Sequence, residues 1–165
     1  MTARRVGGAL LAAIALLALA SAPAHAQQHV AVAPELRIDV IGTNPTSVQG
    51  AGGVQIPIGT YVRIGVLAGA GATIDGDDSP RAAGRLDVLA RFLFDPFRQS
   101  RWGFSAGAGV SLRADPGDRV RPRLLAALDL EGRRSRGGVS PSLQIGLGGG
   151  LRGGVGMRWS GPSAR

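Results

Sequence analysis

Between Gly84 and Asp115 the chain reads GRLDVLARFLFDPFRQSRWGFSAGAGVSLRAD, two runs of alternating residues joined by a turn-like DPFRQSR. In the first run Leu86, Val88, Ala90, Phe92 and Phe94 fall on one face, while Asp87 and Arg91 fall on the other. Successive side chains of an extended chain point to opposite faces, so this pattern specifies strands with one apolar and one charged face. A soluble half-buried sheet hides its apolar face, whereas a barrel in lipid turns that face outward and keeps its charges inside. One pattern therefore permits two opposite proteins, and the rest of the chain has to choose between them.

The alternation extends over most of the sequence, and glycine and proline punctuate it too often for a helical bundle. Strands are predicted near 34–43, 47–58, 60–72, 82–95, 102–114, 120–132, 138–149 and 151–160, each close to the length a tilted strand needs to cross a bilayer. The connections NPTS, IDGDDSP, DPFRQSR, ADPGDR and GRRSRGG carry turn-forming residues. Pro57 and Pro141 fall within strands and predict bulges or edges there. The segment GLGGGLRGGVGMRW keeps one phase from Leu147 to Trp159, so a single long strand, and seven strands in all, is an alternative to the last hairpin.

The two faces have different chemistry along the whole chain. One collects Leu36, Ile38, Val40, Val54, Ile56, Ile58, Leu86, Val88, Val110, Leu112, Leu128, Leu143, Ile145, Val155 and Met157. The other collects Arg37, Asp39, Arg63, Asp87, Arg91, Arg113, Arg123, Asp129, Glu131 and Arg158 among glycines, serines and glutamines, with Leu67, Leu89, Leu93 and Leu125 as apolar exceptions. In a narrow closed barrel such charges line the interior, Asp and Glu pair with Arg, and inward glycines leave room for the long side chains. The ten charged residues just named are the expected lumen network. A second pattern points the same way. In an up-and-down barrel alternate connections share a side with the C-terminus, and all seven aromatics (Tyr61, Phe92, Phe94, Phe97, Trp102, Phe104, Trp159) fall near that side. Tyr61, Phe94, Trp102, Phe104 and Trp159 are the expected membrane-interface belt.

The N-terminal MTARRVGGALLAAIALLALASAPAHA places two arginines before an apolar core and closes on Ala24-His25-Ala26, the pattern of a secretory signal cleaved after Ala26. The expected mature chain, from Gln27, has 139 residues (165 minus 26), enough for a single domain over 27–165. It has no cysteine, which removes disulfides and thiolate metal sites from consideration. All 19 basic residues are arginines; 17 of them follow the leader against 11 acids, a net charge of +6. Export argues against nucleic acid as the partner of that charge.

These features resemble the small eight-stranded outer-membrane β-barrels, the OmpA-type and opacity-type porin-like proteins, over Glu35 to Trp159. The resemblance is architectural and rests on the leader ending AHA, on RLDVLARFLF and WGFSAGAGVSLRA, and on the closing strand VGMRW. It implies an all-β, antiparallel up-and-down eight-stranded transmembrane barrel in the outer membrane, surrounded by its lipid and assembled by the barrel-assembly machinery. That family's closing strand ends in an aromatic residue at the terminus itself; here Trp159 is followed by SGPSAR.

Catalytic chemistry is sparse. Some small outer-membrane barrels modify lipids, resembling one another in a histidine beside a serine nucleophile. Here His25 falls in the leader and His29 precedes the first strand, so no barrel serine has an evident base. Asp87 with Arg91, and Asp129 with Arg123, read as structural charge pairs before acid-base catalysts. Asp75-Gly76-Asp77-Asp78 reads as a solvated acidic loop, short of the ligands a calcium loop supplies. The glycine runs match neither a dinucleotide fingerprint nor a P-loop, which needs a lysine. The expectation is a monomeric, non-enzymatic outer-membrane barrel without a cofactor or metal, its lumen plugged by charge pairs, in a structural or surface-interaction role. A soluble periplasmic barrel that buries the Leu/Val/Ile face around a small apolar ligand is one alternative, and an outer-membrane lipid-modifying enzyme is the other.

Overall fold

The structure is a computed structural model, and it describes residues 32–74, 80–97, 99–114 and 120–159. The predicted leader and the Asp75–Asp78 loop lie outside those residues. Eight strands follow one another: β1 (Ala33–Gly42), β2 (Thr46–Ile58), β3 (Val62–Ile74), β4 (Arg81–Leu93), β5 (Gly103–Ala114), β6 (Arg121–Glu131), β7 (Val139–Leu147) and β8 (Leu151–Trp159). Each pairs antiparallel with the next, and β1 closes onto β8 through Glu35↔Arg158 to Gly42↔Leu151. The result is an all-β, up-and-down, closed eight-stranded antiparallel barrel, as the resemblance implied.

Eight strands also settle the C-terminal ambiguity. Leu147 pairs with Leu151 across a three-residue turn, Gly148 to Gly150, in which Gly149 has φ 77°. Partners in an antiparallel ladder share a face, so this hairpin leaves the alternation unbroken. A continuous strand and this hairpin therefore have the same sequence phase.

Of the bulges or edges expected at Pro57 and Pro141, the structure shows edge-like positions and no bulge: Pro57↔Arg63 and Pro141↔Met157 continue unbroken ladders. Position explains this. Pro57 lies past the last β1–β2 pair, Ala33↔Gln55, and Pro141 precedes the first β6–β7 pair, Glu131↔Ser142. Pro34 and Pro122 likewise lie where only one neighbouring strand is paired. At Pro141 the carbonyl accepts from the Gly132 N–H at 2.8 Å, so its ring nitrogen faces the side where β6 has already ended. A residue that lacks N–H is cheapest there.

The apolar face is outside. Leu36, Ile38, Val155 and Met157 are all more than half exposed, and Leu124 reaches 86%. The buried side chains are instead dominated by polar and charged groups, with a small apolar cluster of Leu89, Leu125 and Ala127 in the interior. Leu67 and Leu93, the other two apolar exceptions of the inward face, are buried as well.

Candidate functional site

The site is the lumen, built by residues two apart on each strand. On β1, Glu35, Arg37 and Asp39 point inward together, as do Arg85, Asp87 and Arg91 on β4, Asp129 and Glu131 on β6, and Arg152 and Arg158 on β8. Inward glycines face the long side chains. A Cβ at Gly107 would lie 3.0 Å from Arg91 Cγ, and one at Gly156 would lie 2.8 Å from Arg37 Cγ. Glycine in a strand costs packing and entropy, and here it makes room for the aliphatic stem of an arginine.

The ion pairs form two linked groups. Toward the end that carries the strand termini Ala33 and Trp159, Arg158 lies 3.4 Å from Glu35, 3.0 Å from Asp129 and 3.2 Å from Glu131. Arg91 Nε reaches Asp129 at 3.0 Å and Arg63 reaches Glu131 at 3.3 Å. Toward the other end Asp39 pairs with Arg37 at 2.8 Å, with Arg152 at 3.3 Å and with Arg85. Asp87 lies 2.7 Å from Arg152 and 3.1 Å from Arg85. Arg37 joins the groups, since its other nitrogen is 3.5 Å from Glu35. Neutral amides complete the shell: Gln55 donates to Glu35 at 2.7 Å, Gln144 donates to Asp129 at 2.9 Å, and Arg85 donates to Gln49 at 3.0 Å. Buried charges are costly unless paired, and each of the five carboxylates lies within 3.4 Å of a guanidinium, although both Asp87 oxygens and the two terminal nitrogens of Arg91 lack a hydrogen-bond partner.

Of the ten expected network residues, Arg37, Asp39, Asp87, Arg91, Asp129, Glu131 and Arg158 are buried members, and Arg63 is a partly exposed member at the rim. Arg113 is buried and donates to the Ser47 hydroxyl at 3.3 Å. Arg123 is the correction. It has the inward phase but sits at the barrel mouth, exposed, before the first β6–β7 pair, and so is outside the network. The pairings expected from nearness in sequence are also replaced: Asp129 meets Arg91 and Arg158 instead of Arg123, and Asp87 meets Arg85 and Arg152 instead of Arg91. Glu35, Arg85 and Arg152 were missed, although each shares the inward phase of a residue that was found: Arg37, Asp87 and Arg158.

The aromatics gather at one end, where Ala33 and Trp159 also lie. Tyr61 stacks on Phe92 at 5.8 Å, and Phe97 meets Tyr61 edge-on at 6.5 Å. Phe94, Trp102 and Phe104 are exposed, and Trp159 is half-buried. The soluble alternative needed the Leu/Val/Ile face to enclose a ligand. That face is the outer surface, so the alternative loses its binding cavity.

A closed eight-stranded barrel that is apolar outside and ion-paired inside has the fold of the small transmembrane β-barrels. The chain is similar to a structure titled "De novo design of transmembrane beta-barrels", at TM-score 0.56 and 14% identity, covering 81% of this chain and 97% of that one. It is also similar to the crystal structure of Neisserial surface protein A (NspA), at TM-score 0.59 and 13% identity, covering 78% of this chain and 95% of that one. No protein-family model and no curated protein matches the chain. The likeness is one of fold.

Proposed function

We propose that this chain is an outer-membrane β-barrel protein, exported by a cleaved signal peptide and serving as a monomeric structural or surface-interaction protein. In this reading it is neither an open pore nor an enzyme. One observation carries the proposal: six arginines and five carboxylates of the described residues form a network of ion pairs across an eight-stranded lumen. Eight strands leave an interior just wide enough for side chains to fill. The outward face has the polarity that hydrocarbon requires. The fold it shares with designed transmembrane barrels and with NspA supports the same setting.

Cell fractionation and planar-bilayer recording test the proposal together. The protein is expected in the outer-membrane fraction, released by detergent and not by alkaline wash, and it is expected to give no stepwise conductance. Recovery in the soluble periplasm would reject the membrane reading. Regular conductance steps from the parent protein would reject the plug.

A further inference from the structure

The mouth of the lumen at the terminal end holds cationic groups that the ion-pair network does not use. There the β4–β5 and β6–β7 connections enclose a cavity of about 430 Å³ whose walls include Ser100, Arg101, Gly103, Glu131, Arg133 and Arg134. The β5–β6 ladder pairs Gly103 with Glu131, so continuing its register sets Arg101 opposite Arg133, both in the inward phase of Glu131. Both arginines are exposed, and neither takes part in an ion pair or hydrogen bond among the described residues. Glu131, the carboxylate in the wall, is engaged by Arg63 at 3.3 Å and by Arg158 at 3.2 Å. Like charges facing each other across a strand pair destabilise it. An anion held between them turns that repulsion into attraction.

Both walls of this cavity are held in shape. Before Arg101, the Asp95 carboxylate accepts from the N–H of Gln99 at 3.0 Å, the N–H of Ser100 at 2.7 Å and the Ser100 hydroxyl at 2.8 Å. Around Arg133 and Arg134, the Gly132 N–H donates to the Pro141 carbonyl at 2.8 Å, the Ser135 N–H to the Val139 carbonyl at 2.8 Å, and the Gly138 N–H back to the Ser135 carbonyl at 3.0 Å. Between the walls Gly103 leaves the floor open, since a Cβ there would meet nothing closer than Glu131 Cβ at 3.8 Å. Side chains presented from braced turns leave less disorder to be removed when a ligand binds.

The charge count selects the ligand. A phosphate monoester carries about −1.5 to −2 charge near neutral pH and offers three strong acceptor oxygens, which matches two guanidiniums without partners. Each guanidinium can donate two parallel hydrogen bonds to such a group. A carboxylate would neutralise only one of them. Arg101 and Arg133 share the phase of the lumen, away from the apolar outer surface, so the ligand reaches them from water and not as the head group of a membrane lipid.

We propose that this mouth binds a water-soluble phosphate monoester between Arg101 and Arg133. The site goes beyond the function proposed above and does not depend on what the outer face of the barrel meets. Equilibrium dialysis of the protein in zwitterionic detergent micelles against radiolabelled glycerol 3-phosphate tests it. Saturable binding approaching one equivalent is expected. Arg101→Gln and Arg133→Gln should each weaken it about tenfold, the loss of one charge-assisted contact. Arg123→Gln with Arg136→Gln removes the same two charges from exposed positions outside the cavity wall and should leave most of the affinity. On the parent protein, lowering the pH through about 6, where the monoester takes up a proton, should weaken binding, and equimolar acetate should not displace the ester. Failure of the parent to bind, equal losses in the two double variants, displacement by acetate, or an affinity unchanged across that pH would each overturn the site. Binding of phosphatidic acid in phosphatidylcholine vesicles without binding of the soluble ester would overturn it as well, because it would move the contact to the lipid-facing surface.

Discussion

Asp39 concentrates the physics of the lumen in one residue. It is fully buried and holds three guanidinium groups, Arg37, Arg85 and Arg152, drawn from three strands. Removing one partner of a buried ion pair leaves uncompensated charge, at a cost of roughly 3–5 kcal/mol. Asp39→Ala is therefore expected to lower the free energy of unfolding by about that amount in a urea titration of the vesicle-embedded protein. Arg123→Gln, at an exposed position outside the network, is expected to stay within about 0.5 kcal/mol of the parent. A loss at position 123 equal to that at 39 would mean that the arginine at the mouth belongs to the network. The phase of these residues was readable from sequence, since Glu35, Arg37 and Asp39 occupy successive inward positions. Their partners were not. Nearness along one strand suggests Asp129 with Arg123, yet the stagger of eight strands carries Asp129 across the lumen to Arg91 and Arg158. Alternation records which face a residue takes and carries no information on its height relative to other strands.

At the level of elements the β7–β8 hairpin shows both the reach and the limit of pattern reading. Any hairpin that pairs residue i with i+4 preserves parity, so Leu147, Leu151 and Val155 stay in phase through a reversal of direction. What marks the turn is backbone conformation, and Gly149 carries it with φ 77°. A side chain there is strained by roughly 1–2 kcal/mol, and its Cβ would also stand 3.1 Å from Arg123 Cγ. Gly153, on the outward face of the same hairpin, has open space around it. Gly149→Val is expected to destabilise by at least that strain, while Gly153→Val is expected to be neutral or mildly stabilising because valine favours the strand. Chemical denaturation of the two variants side by side measures the difference. Similar losses at both would place the reversal elsewhere in GLGGGLRGG. The prolines carry the related lesson that a residue awkward inside a sheet is permitted where one neighbour has ended, which only the strand stagger shows.

Over the whole molecule, an even strand number returns the chain to the end at which it started, and this places two residues 57 positions apart on a common boundary. Trp102 precedes β5 and Trp159 closes β8, and eight alternating strands put both at the end where β1 begins. With seven strands Trp159 would lie at the opposite end. The five other aromatics cluster on the same end as Trp102, so an interfacial belt would form there, and indole rings favour that depth. Single-tryptophan variants, Trp102→Phe and Trp159→Phe, allow each ring to be followed alone in vesicles carrying quenchers at known depths. Both are expected to be quenched more strongly by shallow groups than by groups at the bilayer centre. With insertion in one orientation, a quencher confined to one leaflet should act on both tryptophans or on neither. Quenching of one alone would reject a shared boundary while keeping the membrane, because the apolar exterior would still face lipid. If depth-dependent quenching failed for both, the band of Leu36, Ile38, Val88 and Val155 would have to be covered by something other than hydrocarbon, since it is the outer surface of the barrel.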